Sequence, residues 1–353
     1  MTDTDINIKQ GLKAEPVLVI GASGFVGSHT ARLLVKQGRK VRVLLRKSSN
    51  QESLKDLPVE IYYGDVLDAV SLRNAMEGIS TVFYCVVDPR YWLTDYSPLF
   101  RNNVDGLVNG MDAALECGIK RFVFCSTMGT LGRNPNGSVT EKTEFNWLDK
   151  APPYIHSRRE AEMQFMKYCR EKGLPGVALC IANTYGPEDY QPTPQDKMLW
   201  EVANGKMRAI WNAHQPTVDI RDAAQAMVLA ETFGKVGERY IIANEFLSYR
   251  QLFGLAAAEG GSKPPIIIPL SMAYGITWIG ELFLKLLRRK DYFIRLDSVF
   301  LSIAFGELDS SKARQELHWQ PRPMAETVKD TIAWFRKRKQ VAAISMPPIF
   351  GHW

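Results

Sequence analysis

The chain has 353 residues, of which 46% are hydrophobic and 23% charged, enough to bury a large core in one or two domains. A net charge of +6 and a pI near 8.9 suit an anionic cofactor or a loose hold on an acidic membrane surface, and do not indicate nucleic acid. Five cysteines without a C-x-x-C pair and five scattered histidines exclude a disulfide scaffold and predict no metal site.

Residues 1–15 lack the charged and apolar regions of a signal peptide and are expected to form a flexible start. Of the five cysteines, Cys85, Cys117, Cys125, Cys169 and Cys180, three fall in or beside apolar strand patterns, which reads as reduced core thiol in a cytoplasmic protein. Strands are expected at 17–20, 41–45, 60–63, 82–87, 122–125 and 176–181. Helices are expected between them at 27–37, 70–76, 102–117 and 156–172. This alternation predicts an α/β fold, a doubly wound parallel sheet of Rossmann type, over residues 16–186. After Gly186-Pro187 the alternation stops in a Pro-, Gln- and Asp-rich stretch. Residues 187–340 are expected to build mainly a smaller substrate lobe, with 213–245 returning to the first domain and 341–353 forming a tail. Ligands of open α/β sheets bind at the strands' C-terminal edge, beneath such a lobe.

Within the lobe, 265–287 is apolar but carries Gly275, Gly280, Glu281 and Lys285, too interrupted for a spanning helix. Met272, Ile276, Ile279, Phe283 and Leu286 recur at helical spacing, so an amphipathic helix is expected whose apolar stripe packs, forms a lid, or touches a membrane surface. Arg336-Lys337-Arg338-Lys339 reads as a solvated helix end.

The chemistry begins at the first strand, where Gly21-Ala22-Ser23-Gly24-Phe25-Val26-Gly27 opens a helix. In that context Gly21, Ser23, Gly24, Phe25, Val26 and Gly27 bring backbone N–H groups and a helix N-terminus to a pyrophosphate. At the end of the second strand, where a carboxylate would grip a ribose 2′-hydroxyl, the chain has Arg46 and Lys47. These cations favour a 2′-phosphate, hence NADP(H) over NAD(H). Asp65 and Val66 end the third strand and offer a carboxylate to the adenine amino group.

Seven motifs then stand in register: the glycine triplet, Gly64-Asp65, Asn103-Val104-x-Gly106, Phe124-Cys125-Ser126-Thr127, Tyr154-x-x-Ser157-Arg158, Asn183-x-Tyr185-Gly186-Pro187 and 218–224. Together they resemble the extended short-chain dehydrogenase/reductase family, of the NAD-dependent epimerase/dehydratase type, over nearly the whole chain. Residues 309–323 look like the branch of 3β-hydroxysteroid dehydrogenases and dihydroflavonol reductases. The resemblance implies a homodimer through 102–117 and 156–172, with Tyr154 as general acid or base, Thr127 as donor to the substrate oxygen, Asn103 near the site, and Asn183 beside the cofactor. Where the family has Lys, this chain has Arg158, which is expected to hold the nicotinamide ribose and to lower the Tyr154 pKa without relaying a proton.

Trp200, Met207, Ile210, Trp211 and 266–268 are expected to roof the site for an apolar sterol-, terpenoid- or aromatic-like alcohol or ketone. Two alternatives remain: a nucleotide-sugar epimerase or dehydratase with tightly held NAD(P), and a cofactor-binding protein using the site for non-redox chemistry.

Overall fold

The computed structural model of the chain describes residues 15–341 apart from 91, 92, 94, 135, 136 and 287–295. The expected flexible start, Glu15 excepted, and the tail beyond 341 lie outside the described residues. Seven parallel strands form the central sheet: β1 (Val17–Ile20), β2 (Val41–Leu45), β3 (Glu60–Tyr63), β4 (Thr81–Tyr84), β5 (Arg121–Thr127), β6 (Gly176–Ile181) and, from later in the chain, Arg239–Ile242. The order runs from Arg239–Ile242 through β6, β5, β4, β1 and β2 to β3, which puts the topological switch between β1 and β4. In β1, β4 and β6 every residue is buried, as a sheet covered on both faces requires.

The covering helices are α1 (Phe25–Lys36), α2 (Ala69–Met76), α3 (Gly106–Glu116), α4 (Pro153–Glu171) and Ile220–Phe233. One face of the sheet buries Val17, Val19, Val43, Phe83, Val123 and Leu179 against α1 and Ile220–Phe233. The other buries Leu18, Ile20, Val82, Phe122 and Phe124 under α3 and α4. A buried pair, Arg39 with Glu231 at 2.9 and 3.0 Å, ties the exit of α1 to Ile220–Phe233.

From residue 183 the chain adds β7 (Asn183–Tyr185), α5 (Pro194–Ala203), β8 (Ala209–Trp211), β9 (His214–Asp219), α6 (the covering helix Ile220–Phe233), β10 (the seventh sheet strand), β11 (Glu245–Ser248), α7 (Tyr249–Gly260), β12 (Ile266–Ile268), α8 (Leu270–Leu286), α9 (Leu296–Ile303), α10 (Ser311–Glu316) and α11 (Met324–Val341), and the smaller lobe is built mainly from the elements other than α6 and β10. Its core joins α5, α7 and α11 around Trp200, Phe253 and Phe335.

Two expectations change here. The helix at 270–286 forms, but Met272, Ile276 and Ile279 face solvent instead of packing, because Ala273, Thr277 and Glu281 take the inward side; the side chains of Phe283 and Leu286 lie outside the described residues. The basic cluster is not simply solvated: Arg338 pairs with Glu52 at 2.9 Å, donates to the Asp189 carbonyl at 3.2 Å and lies over Tyr190 and Trp334.

Candidate active site

β1 ends in Gly21 at φ +85°, where a Cβ would stand 2.8 Å from the Cys85 carbonyl carbon. That position therefore needs glycine on two counts. A Cβ on Gly27 would overlap the Gly21 carbonyl, so the helix can pack on the loop only without one. α1 starts at Gly24 with no side-chain cap and no acidic residue in its first turn. The first N–H to return to the helix is Ser28 to Gly24 at 2.9 Å, which leaves the amides of Phe25, Val26 and Gly27 for an anion.

Arg46 and Lys47 stand exposed just past β2. Asp65 accepts the Leu67 N–H at 2.9 Å and fixes the turn after β3, while Val66 is buried below it. A second loop closes over the glycines: Gln191 donates to the Ser23 carbonyl at 3.1 Å, and His29 Nε2 donates to the Pro187 carbonyl at 3.1 Å. Burial pushes the His29 imidazole down to about 4, so it stays neutral there.

Across the cleft, Pro152 and Pro153 start α4, which puts Tyr154 in its first turn and Arg158 one turn on. Thr127 ends β5, accepts the Gly129 N–H at 3.2 Å and hydrogen-bonds the Tyr154 phenol. Arg158 is 1% exposed. Its Nη2 donates to the Cys125 carbonyl at 2.7 Å, its guanidinium lies over the Phe124 ring, and its Nε and Nη1 have no partner. A buried cation with two unspent donors fits ribose hydroxyls, so the residues present suit a nicotinamide dinucleotide. The net shift of the Tyr154 phenol is upward, although Arg158 does act to lower it, as expected. Burial pushes the phenol up, and the opposing Arg158 charge and Thr127 hydrogen bond do not overcome it.

Asn103 lies in a π-turn at Arg101–Asp105 and is 1% exposed. Its carbonyl accepts the Asp88 N–H at 2.7 Å, and its amide donates to the Asp88 carbonyl and Ser157 Oγ at 3.1 and 3.0 Å. Ser157 in turn donates to the Tyr154 carbonyl at 2.8 Å. Asn103 thus acts through the start of α4. Asn183 donates to Gln215 at 3.1 Å, and Gln215 to the Tyr185 hydroxyl.

The apolar wall differs from the expectation. Trp200 and Ile210 belong to the lobe's core, whereas Tyr154 packs against a cluster of Trp147, Ala151, Ile155 and Ala304 that Phe145, Phe300, Leu301 and Phe305 also border. A cavity of 480 Å³ opens between Trp147 and the turn at 303–306. Sequence reasoning missed this wall because its two halves are 150 residues apart and show no shared period. It also missed Cys85 beside Cys125, whose thiols hydrogen-bond across neighbouring strands; burial adds to that bond in pushing Cys85 up. All five cysteines are free thiols.

Residues 17–243 match the model of the NAD-dependent epimerase/dehydratase family. The chain belongs to that family. A putative dihydroflavonol 4-reductase of Synechocystis sp. is 29% identical over 93% of this chain and 96% of its own. Sterol demethylase protein B of Methylococcus capsulatus is 29% identical over 92% and 99%. The structure of UDP-glucose 4-epimerase from Thermotoga maritima superposes with a TM-score of 0.76 at 23% identity, over 92% and 99% of the chains, a likeness of fold. As a member of the epimerase/dehydratase family, the protein is a nicotinamide-dependent enzyme of the extended short-chain dehydrogenase/reductase type. Among the described residues no cluster of ligating side chains suits a metal ion, and no helix is long and apolar enough to cross a membrane.

Proposed function

We propose that the protein is an NADP(H)-dependent oxidoreductase acting between a secondary alcohol and a ketone on a mostly apolar substrate. The observation that carries this reading is the buried Arg158, with two unspent donors, one turn from a Tyr154 phenol that is bonded to Thr127 and packed among aromatic rings. When bound, the nicotinamide supplies or takes the hydride at the carbon. Tyr154 gives its proton to the carbonyl oxygen in reduction, and its phenolate takes the alcohol proton in oxidation. Thr127 donates to the same oxygen as charge grows there. Burial favours the protonated phenol, the form that gives its proton in reduction. Arg158 holds the ribose and lowers the cost of the phenolate, and Arg46 with Lys47 takes the 2′-phosphate.

The substrate class is supported by the aromatic wall and by the reductase and sterol-related names of two relatives. We place the enzyme in the cytoplasm as a homodimer through α3 and α4, where the large apolar Met163 is half exposed. The rival reading, a nucleotide-sugar epimerase or dehydratase, draws on the shared fold with such enzymes. The deciding experiment follows NADPH consumption by the purified protein against steroid, terpenoid, aromatic and sugar-nucleotide panels. Net oxidation with an apolar ketone, abolished in Tyr154→Phe while NADPH still binds, is expected. Turnover of a sugar nucleotide without net NADPH use overturns the proposal, as does a fully active Tyr154→Phe.

A further inference from the structure

α8 is amphipathic in the reverse sense for a water-facing helix. Ala273, Thr277 and Glu281, spaced every four residues, point into the protein, and Glu281 accepts the Leu296 N–H at 2.8 Å at the start of α9. The outward arc carries Met272, Ile276, Trp278, Ile279 and Leu282, between 49% and 62% exposed. Among the exposed side chains of 271–282 only Ser271 is polar apart from the Trp278 N–H, Tyr274 is partly exposed, and Gly275 and Gly280 face open space. Ile266, 71% exposed on β12, extends the same patch across Pro269. Contiguous exposed apolar surface of this kind marks a docking face.

We infer that this face lies on an anionic lipid surface. Lys206 and Arg208 lead into β8 and Lys263 leads toward β12; the two strands pair, with Ile266 N–H on the Arg208 carbonyl at 2.9 Å. All three cations are exposed, and none is ion-paired among the described residues. The acids closest to them in the chain are Glu259 at the end of α7 and Glu201, which is buried, and the acid of α8, Glu281, is turned inward and spent. Apolar side chains flanked by unpaired cations match lipid tails beneath acidic headgroups, and Trp278 supplies a ring suited to the interface. A second copy would present the same unpaired cations. α8 contacts α9, whose Phe300 and Leu301 pack on the same cluster of Trp147 and Ile155 as Tyr154, so an apolar ligand dissolved in the bilayer would lie near the cleft. That last step rests on the proposed substrate class; the docking itself does not.

The test is cosedimentation of the full chain with phosphatidylcholine vesicles, with and without phosphatidylglycerol, in the absence of any substrate. Binding to the anionic vesicles is expected, about fivefold weaker for each of Arg208→Glu and Lys263→Glu. Ile276→Glu/Ile279→Glu is expected to lose binding about tenfold or more while NADPH affinity is unchanged. If that variant fails to fold, brominated lipid decides with the native chain: it should quench a tryptophan component that Trp278→Phe lacks. The inference is overturned by a chain that stays in the supernatant with anionic vesicles, by binding indifferent to these substitutions, or by a dimer that the Ile276/Ile279 variant makes monomeric. Because the readout needs no turnover, its failure is distinct from failure of the proposed reaction.

Discussion

Replacing Asp196 with Asn should make the fold more stable above pH 7 and remove much of its pH dependence. Asp196 is fully buried and accepts the Gly186 N–H on both oxygens at 3.3 Å. Asp189, 2% exposed, accepts the Thr193 N–H at 2.5 Å, and the two carboxyls hydrogen-bond each other. Burial pushes Asp189 up to about 7 against the hydrogen bonds from Thr193, and burial followed by the Asp189 charge raises Asp196. Both folded values lie above the unfolded value near 3.8, so the folded chain holds protons that the unfolded chain releases. The stability contribution is therefore fully present below about pH 4 and lost as pH rises through about 7. A rise from 3.8 to about 7 sets the scale of the Asp189 share of this loss at about 4 kcal/mol at most. Asn at 196 keeps an acceptor for Gly186 and gives Asp189 amide donors in place of a competing acid. Urea unfolding at pH 5 and pH 8 should show a gain of about 1–2 kcal/mol at pH 8 and little change at pH 5. An equal fall in stability between the two pH values in both proteins would refute the shared-proton argument. The loop concerned also touches Ser23 and His29, so NADPH affinity should become less dependent on pH as well.

Arg158→Lys should retain or raise turnover, since the ammonium keeps the charge and can also pass a proton; an inactive variant with intact cofactor binding would show a site built around the guanidinium. Arg46→Asp should shift the NADP-to-NAD preference by about tenfold to a hundredfold, the worth of one or two charge-assisted bonds, as read from the two Kd values. An unchanged ratio would contradict the assignment of the 2′-phosphate. Glu231→Gln leaves the buried Arg39 without its carboxylate and should cost about 3 kcal/mol in unfolding measurements, with the NADP-to-NAD ratio unmoved.

What the sequence alone determined is local. A strand followed by Gly21, Gly24 and Gly27 must form a tight turn into a helix, because backbone angles and close approach are set by residues a few positions apart. The alternation of apolar runs likewise marked six parallel strands, with ends within a few residues of those observed: β4 stops at Tyr84 instead of 87, and β5 continues to Thr127. Tertiary structure decided whatever depends on which surfaces meet. The period of 270–286 announced an amphipathic helix, but β8 and α9 chose its small face, so the apolar side turned outward. Trp200 and Ile210 went into the core with Phe335, and the rings around the cluster that holds Tyr154 came instead from the loop before α4 and from α9 and the turn after it. The Tyr154 pKa followed the same division: the motif fixed a cation one turn away, while the depth of burial, a property of the packed chain, reversed the net direction.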